Sequence, residues 1–89
     1  MARINFEIIE AGGPAAHGCA SEELFELGLT YCTGRDVEQD LIDAHKWFNL
    51  AALKGNREAL QHRVEIAREM TEQQIALAQK RAREWLAAN

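Results

Sequence analysis

Long apolar runs, cysteine pairs and basic stripes are all missing from this chain, and each absence removes a class of protein. Nothing approaches the 18 or more consecutive apolar residues of a membrane span, and Met1-Ala2-Arg3 does not lead into a hydrophobic signal core. Ala16-His17-Gly18-Cys19 has the outline of a lipoprotein cleavage box, but the apolar segment that should precede such a box is absent. A soluble, cytoplasmic chain is expected, with no membrane partner. Cys19 and Cys32 stand in different elements, so reduced thiols are the expectation. Together with His17, His45 and His62 they show neither C-x-x-C nor H-x-x-x-H spacing, and no metal is expected. The single proline falls in Ala11-Gly12-Gly13-Pro14, which breaks any regular structure near the N-terminus.

The net charge is −4, and residues 21–55 carry most of it, with seven acids against three bases. Lys80, Arg81 and Arg83 form the only basic cluster, and Glu84 interrupts it. A nucleic-acid partner would need a basic stripe to neutralise phosphates, so none is expected. No Gly-rich phosphate loop and no Ser-His-Asp arrangement is visible, and the acids sit mostly where helix caps and solvated faces would lie. The chain therefore reads as non-enzymatic and without a cofactor.

With 89 residues and 47% hydrophobic content, one domain can form. At this size folding hides only about 60–65% of the unfolded surface, so stability should be modest. Residues 1–20 read as a flexible tail in which Ile4, Phe6 and Ile8 alternate with Asn5 and Glu7, as in a short extended segment. A sharper reading lays those three side chains across an apolar groove. Residues 21–89 read as one all-α domain of four helices in two antiparallel pairs, with 21–55 a full repeat unit and 56–89 a degenerate closing pair.

Ser21 is expected to cap a helix over 22–32, with Glu22 and Glu23 favoured by the dipole in its first turn. Leu24, Leu27, Gly28 and Tyr31 form one stripe on it, and Phe25, Leu29 and Cys32 a second beside it. Thr33-Gly34-Arg35-Asp36 predicts a turn with left-handed geometry available at Gly34 and Asp36. Asp40 caps a second helix over 41–54 that buries Leu41, Ala44, Trp47, Phe48, Ala51 and Ala52, and Gly55 ends it. Asn56 caps a third over 57–70, expected to bury Ala59, Leu60, Val64, Ala67 and Met70. Thr71-Glu72-Gln73-Gln74 has capping-box spacing and opens a fourth over 72–88, burying Ile75, Ala78, Ala82, Trp85 and Leu86. Ala44-x-x-Trp47-Phe48 recurs 38 residues later as Ala82-x-x-Trp85-Leu86, the mark of a stacked repeat.

Leu27-Gly28-x-x-Tyr31 followed by Ala44-x-x-x-Phe48-x-x-Ala51 is similar to the tetratricopeptide pattern, with a gap from Tyr31 to Ala44 about four residues longer than usual. With that loop the segment resembles the Sel-one-like repeat, a tetratricopeptide-like α/α solenoid unit, over residues 20–55. The positions that carry the likeness are Leu27, Gly28, Tyr31, Gly34, Val37, Asp40, Ala44, Trp47, Phe48, Ala51, Ala52 and Gly55. Asp36 departs from it where the loop usually has a second glycine, and Asp43 where a lysine is usual. The resemblance implies a small residue at Gly28 that lets two helices approach, and a non-enzymatic adaptor that binds a partner protein or peptide.

Stacked pairs form a concave surface lined by the first helix of each pair. At those inward positions the chain offers Phe25, Leu29 and Cys32, beside an acidic patch of Glu22, Glu23 and Glu26 suited to steering a basic peptide. The partner surface is therefore placed on Phe25, Leu29, Cys32, Glu22 and Glu26. On this reading Phe25→Asp weakens binding while the thermal midpoint moves little. The other course is a self-associating unit, a homodimer through the first helix and the N-terminal tail, since fewer than about three repeats are marginal alone.

Overall fold

A computed structural model describes residues 20–88 as four helices, with no strand among them. They are α1 (Ser21–Thr33), α2 (Leu41–Leu53), α3 (Arg57–Ala67) and α4 (Glu72–Ala88). The all-α reading and the four helices hold. Ile4, Phe6, Ile8 and the rest of residues 1–19 lie outside the described residues.

Most helix ends follow the expected chemistry. Asp40 Oδ1 accepts from the backbone N–H groups of Ile42 and Asp43 at 3.0 and 3.1 Å, and Asn56 Oδ1 accepts from Ala59 at 2.8 Å. Thr71 and Gln74 form the reciprocal box, each side chain accepting from the other's backbone N–H, at 2.9 and 3.1 Å. Gly34, at φ 76°, ends α1 and donates its N–H to Thr30 O, and Asp36 is also left-handed at φ 66°. Two ends differ. Ser21 is already helical and Ala20 is the N-cap; it has no side-chain acceptor, and the Glu23 carboxylate instead takes the Ala20 N–H at 3.3 Å. The third helix stops at Ala67 rather than at 70, because the N–H groups of Arg68, Glu69 and Met70 turn back to the carbonyls three residues earlier.

Helix α2 is the hub. It packs on α1, α3 and α4, whereas α3 and α4 approach each other only slightly. Phe48, Leu24 and Leu50 are the largest fully buried side chains, joined in the core by Ala44, Ala51, Ala59, Ile66 and Ala82. The contacts between successive pairs keep one register. Asp43 meets Arg81 and Trp47 meets Trp85, both 38 residues apart, while Phe25 meets His62, 37 apart. Thus α4 runs alongside α2 in the same direction, and α3 touches α1 where His62 meets Phe25. The 38-residue echo in the sequence is a spatial neighbourhood.

That register accounts for the unequal pairing. Gly28 backs directly onto the Phe48 ring, with no room for a Cβ. Thirty-eight residues on, the sequence has Ile66 in place of a glycine, so the close approach that Gly28 allows is not repeated there.

The face of α3 is rotated from the expected one. Ala59 is buried, but Leu60 and Val64 point outward at 43% and 47% exposure, and Ile66 turns inward. Arg63 donates from the inner side to Asn49 of α2, and His62 lies against Phe25 and Phe48. Ala59 and Ile66, together with the polar partners His62 and Arg63, set the phase of this helix. Leu27 likewise faces outward rather than joining the Leu24 and Gly28 stripe.

Candidate interaction surface

The solvent side of α1 is a row of carboxylates. Glu22, Glu23 and Glu26 are exposed, and Leu27 stands among them at 38% exposure. Arg35 reaches Glu26 only at 3.9 Å, with both side chains more than half exposed, so this pair adds little rigidity and leaves the row's charge largely in place.

Phe25, Leu29 and Cys32 are half-buried and packed against the core. The Phe25 ring lies 5.8 Å from that of Phe48 and 5.3 Å, edge-on, from His62. Its inner side is therefore committed to the junction of α1, α2 and α3. This packing argues against the expectation that Phe25→Asp would spare the thermal midpoint, because the substitution removes a packed ring and sets a charge against the rings of Phe48 and His62. The Cys32 thiol is pushed up by burial first, then by Glu69 and Glu65, so it stays protonated at neutral pH.

The residues of the repeat pattern divide by role. Gly28 and Phe48 meet at the α1–α2 contact, Ala44 and Ala51 are buried in the core, and Leu41, Tyr31, Trp47 and Ala52 pack against it half-buried. Gly34 and Asp40 set the two ends of the connecting loop, which the Asp40 N–H ties to Tyr31 O at 3.0 Å and the Gln39 side chain to Cys32 O at 2.8 Å. Val37 is exposed on that loop, and Gly55 follows α2 at φ 102° in open space.

On the far side of α2, Trp47 and Trp85 meet edge to face at 5.9 Å, and the Lys46 ammonium lies 4.0 Å over the Trp47 ring. Two buried polar atoms on α2 lack hydrogen-bond partners, Trp47 Nε1 and His45 Nδ1. His45 is only 3% exposed, and burial first, then the Arg63 guanidinium, holds its pKa below the ordinary 6.5. Among the described residues no group of three or more His, Cys, Asp or Glu is placed to hold a metal ion, and no helix is long and apolar enough to cross a membrane. His17 and Cys19 lie outside the described residues.

Sequence reasoning missed the outward strip of α3, where Leu60, Gln61, Val64, Glu65 and Arg68 line a depression of about 400 Å³. Residues 59, 63, 66 and 70 also follow a helical spacing, but Arg63 at its centre hides that alternative from hydrophobicity alone.

No protein-family model matches the chain, and no curated protein or solved structure matches it either.

Proposed function

We propose that the chain is a protein-interaction module of the Sel-one-like kind, non-enzymatic, which binds a basic peptide or protein segment on the outer face of α1. The observation that carries this reading is the exposed row Glu22, Glu23 and Glu26 around Leu27, an anionic surface with an apolar foothold. The outer edges of Phe25, Leu29 and Cys32 border it.

Several features support the Sel-one-like part of the reading. Gly28 admits the Phe48 ring, the loop takes left-handed geometry at Gly34 and at Asp36, and the two helix pairs keep a register of 37–38 residues. Asp43, which replaces the usual lysine, has Arg81 as a partner at 3.3 Å.

The test is charge reversal at exposed positions, which leaves the fold intact. Full-length protein carrying Glu22→Lys and Glu26→Lys should lose captured partner while its circular-dichroism melt stays that of the parent. Equal recovery of the same partner by both baits would overturn the placement on α1. Light scattering at two concentrations decides the homodimer reading, which a strict monomer removes.

A further inference from the structure

Leu60 and Val64 on α3 and Leu27 on α1 mark two exposed faces that complement each other in shape and charge. We propose that the Leu60–Val64 strip receives the α1 face of a second copy of this chain, centred on Leu27, in a head-to-tail contact. The proposal rests on the reading of the outer face of α1 as a docking surface and names what docks there.

The position of the two faces follows from the helix geometry. The Phe25 ring meets His62, and Cys32 feels the charges of Glu69 and Glu65, so these residues mark the sides by which α1 and α3 face each other. A step of two residues turns a helix by about 200°. Leu60 and Val64 stand two residues on either side of His62, and Glu23 and Leu27 two residues on either side of Phe25. The first pair therefore points away from α1 and the second away from α3, and all four side chains are exposed. A stack of helix pairs stays soluble as a single unit when its end faces are polar, and fewer than about three pairs are marginal alone. The aliphatic end face on α3 is the reverse of such a cap.

Charge selects the occupant. Arg57 and Arg68 extend the Leu60–Val64 strip at helical spacing, both are exposed, and neither has an ion-pair partner among the described residues. Glu65, the one acid lining the depression beside the strip, lies toward Cys32. The α1 face carries the opposite sign, with Glu22, Glu23 and Glu26 around Leu27. A second copy set against the far side of α3, with the offset of 37 residues that pairs Phe25 with His62, brings its Leu27 to Val64 and its glutamates to the two guanidiniums. The aliphatic side chains then leave water while opposite charges ring them. Two α3 faces would instead set arginine against arginine, and two α1 faces glutamate against glutamate. A contact between unlike faces leaves one free face of each kind, so further copies can add.

The test uses the full chain and two variants at exposed positions, Leu27→Lys, and Leu60→Gln with Val64→Gln, each checked to keep the parent's circular-dichroism melt. In light scattering the parent's mean mass should climb past twice the monomer as concentration rises, while each variant alone stays at the monomer mass. Mixed in equal amounts, the two variants should reach twice that mass and no more, because the intact α3 face of one meets the intact α1 face of the other. A variant that doubles its mass alone would overturn the proposal in favour of a two-fold contact through its unaltered face. A mixture that stays monomeric, or a parent that does so at every concentration, would overturn it outright. The α1 reading is decided separately, by capture with the Glu22→Lys and Glu26→Lys bait.

Discussion

A methyl group at position 28 would overlap the ring of Phe48, and the consequence can be worked out from two opposing terms. Alanine favours the helix over glycine by about 1 kcal/mol, whereas forcing extra volume into a packed contact costs about 1–3 kcal/mol. Phe48 is fully buried, so its ring has little space into which to retreat. Gly28→Ala is expected to destabilise by up to about 2 kcal/mol, read as a lower urea midpoint. Adding Phe48→Leu should recover part of the loss, since the pair is coupled through one space. The chain itself carries this exchange, with Ile66 and Leu86 standing 38 residues beyond Gly28 and Phe48. A Gly28→Ala variant more stable than the parent would refute the account. Phe25→Asp belongs to the same scale. With its ring between Phe48 and His62, the substitution should cost about 2 kcal/mol or more and lower the thermal midpoint by several degrees, so loss of binding in this variant would say nothing about a surface.

At the scale of elements, the helix starts were legible because Asp40, Asn56 and Thr71 each carry a side-chain acceptor that takes a backbone N–H which the first turn of a helix leaves without a partner. The partnership of α2 with α4 was legible too, as the repeated Ala-x-x-Trp pattern. The rotation of α3 was not, because Arg63 and His62 earn their inward places only through Asn49, Phe25 and Phe48, residues that tertiary structure alone brings near. The acidic patch on α1 was readable from spacing, whereas the commitment of Phe25 inward was not, since both faces of α1 offered an apolar stripe. Two of the contacts between α4 and α2 can be ranked by magnitude. The Asp43–Arg81 pair is partly exposed and of a class worth about 0.2–1 kcal/mol, while an edge-to-face aromatic pair adds about 0.5–1.5 kcal/mol beyond the area it buries. Trp85→Ala should therefore lower stability far more than Arg81→Ala. Parallel urea melts of the two variants check this, and equal losses would show that the ion pair carries more of the docking than its exposure allows.

For the molecule as a whole, the small core leaves little stability in reserve, so one titrating group can make folding depend on pH. His45 is that group. In the folded chain burial, and behind it the Arg63 charge, holds its pKa below 6.5, whereas in the unfolded chain it takes the ordinary value. Below pH 6.5 the unfolded state binds the proton that the folded state refuses, so stability is full above that pH and falls as the pH drops through it. The loss grows by up to about 1.4 kcal/mol per pH unit until the folded His45 itself protonates. Among the described residues none offers its Nδ1 a hydrogen bond, and an imidazolium there would face Arg63, so the penalty is not offset. Thermal melts at pH 7.5, 6.5 and 5.5 should show a falling midpoint over a window that ends before most carboxylates titrate. His45→Leu removes the buried imidazole and its orphaned nitrogen, so its midpoints should be nearly level over the same window and at least match the parent's at pH 5.5. A parent and a His45→Leu variant that fall in parallel would place the sensitivity in another group.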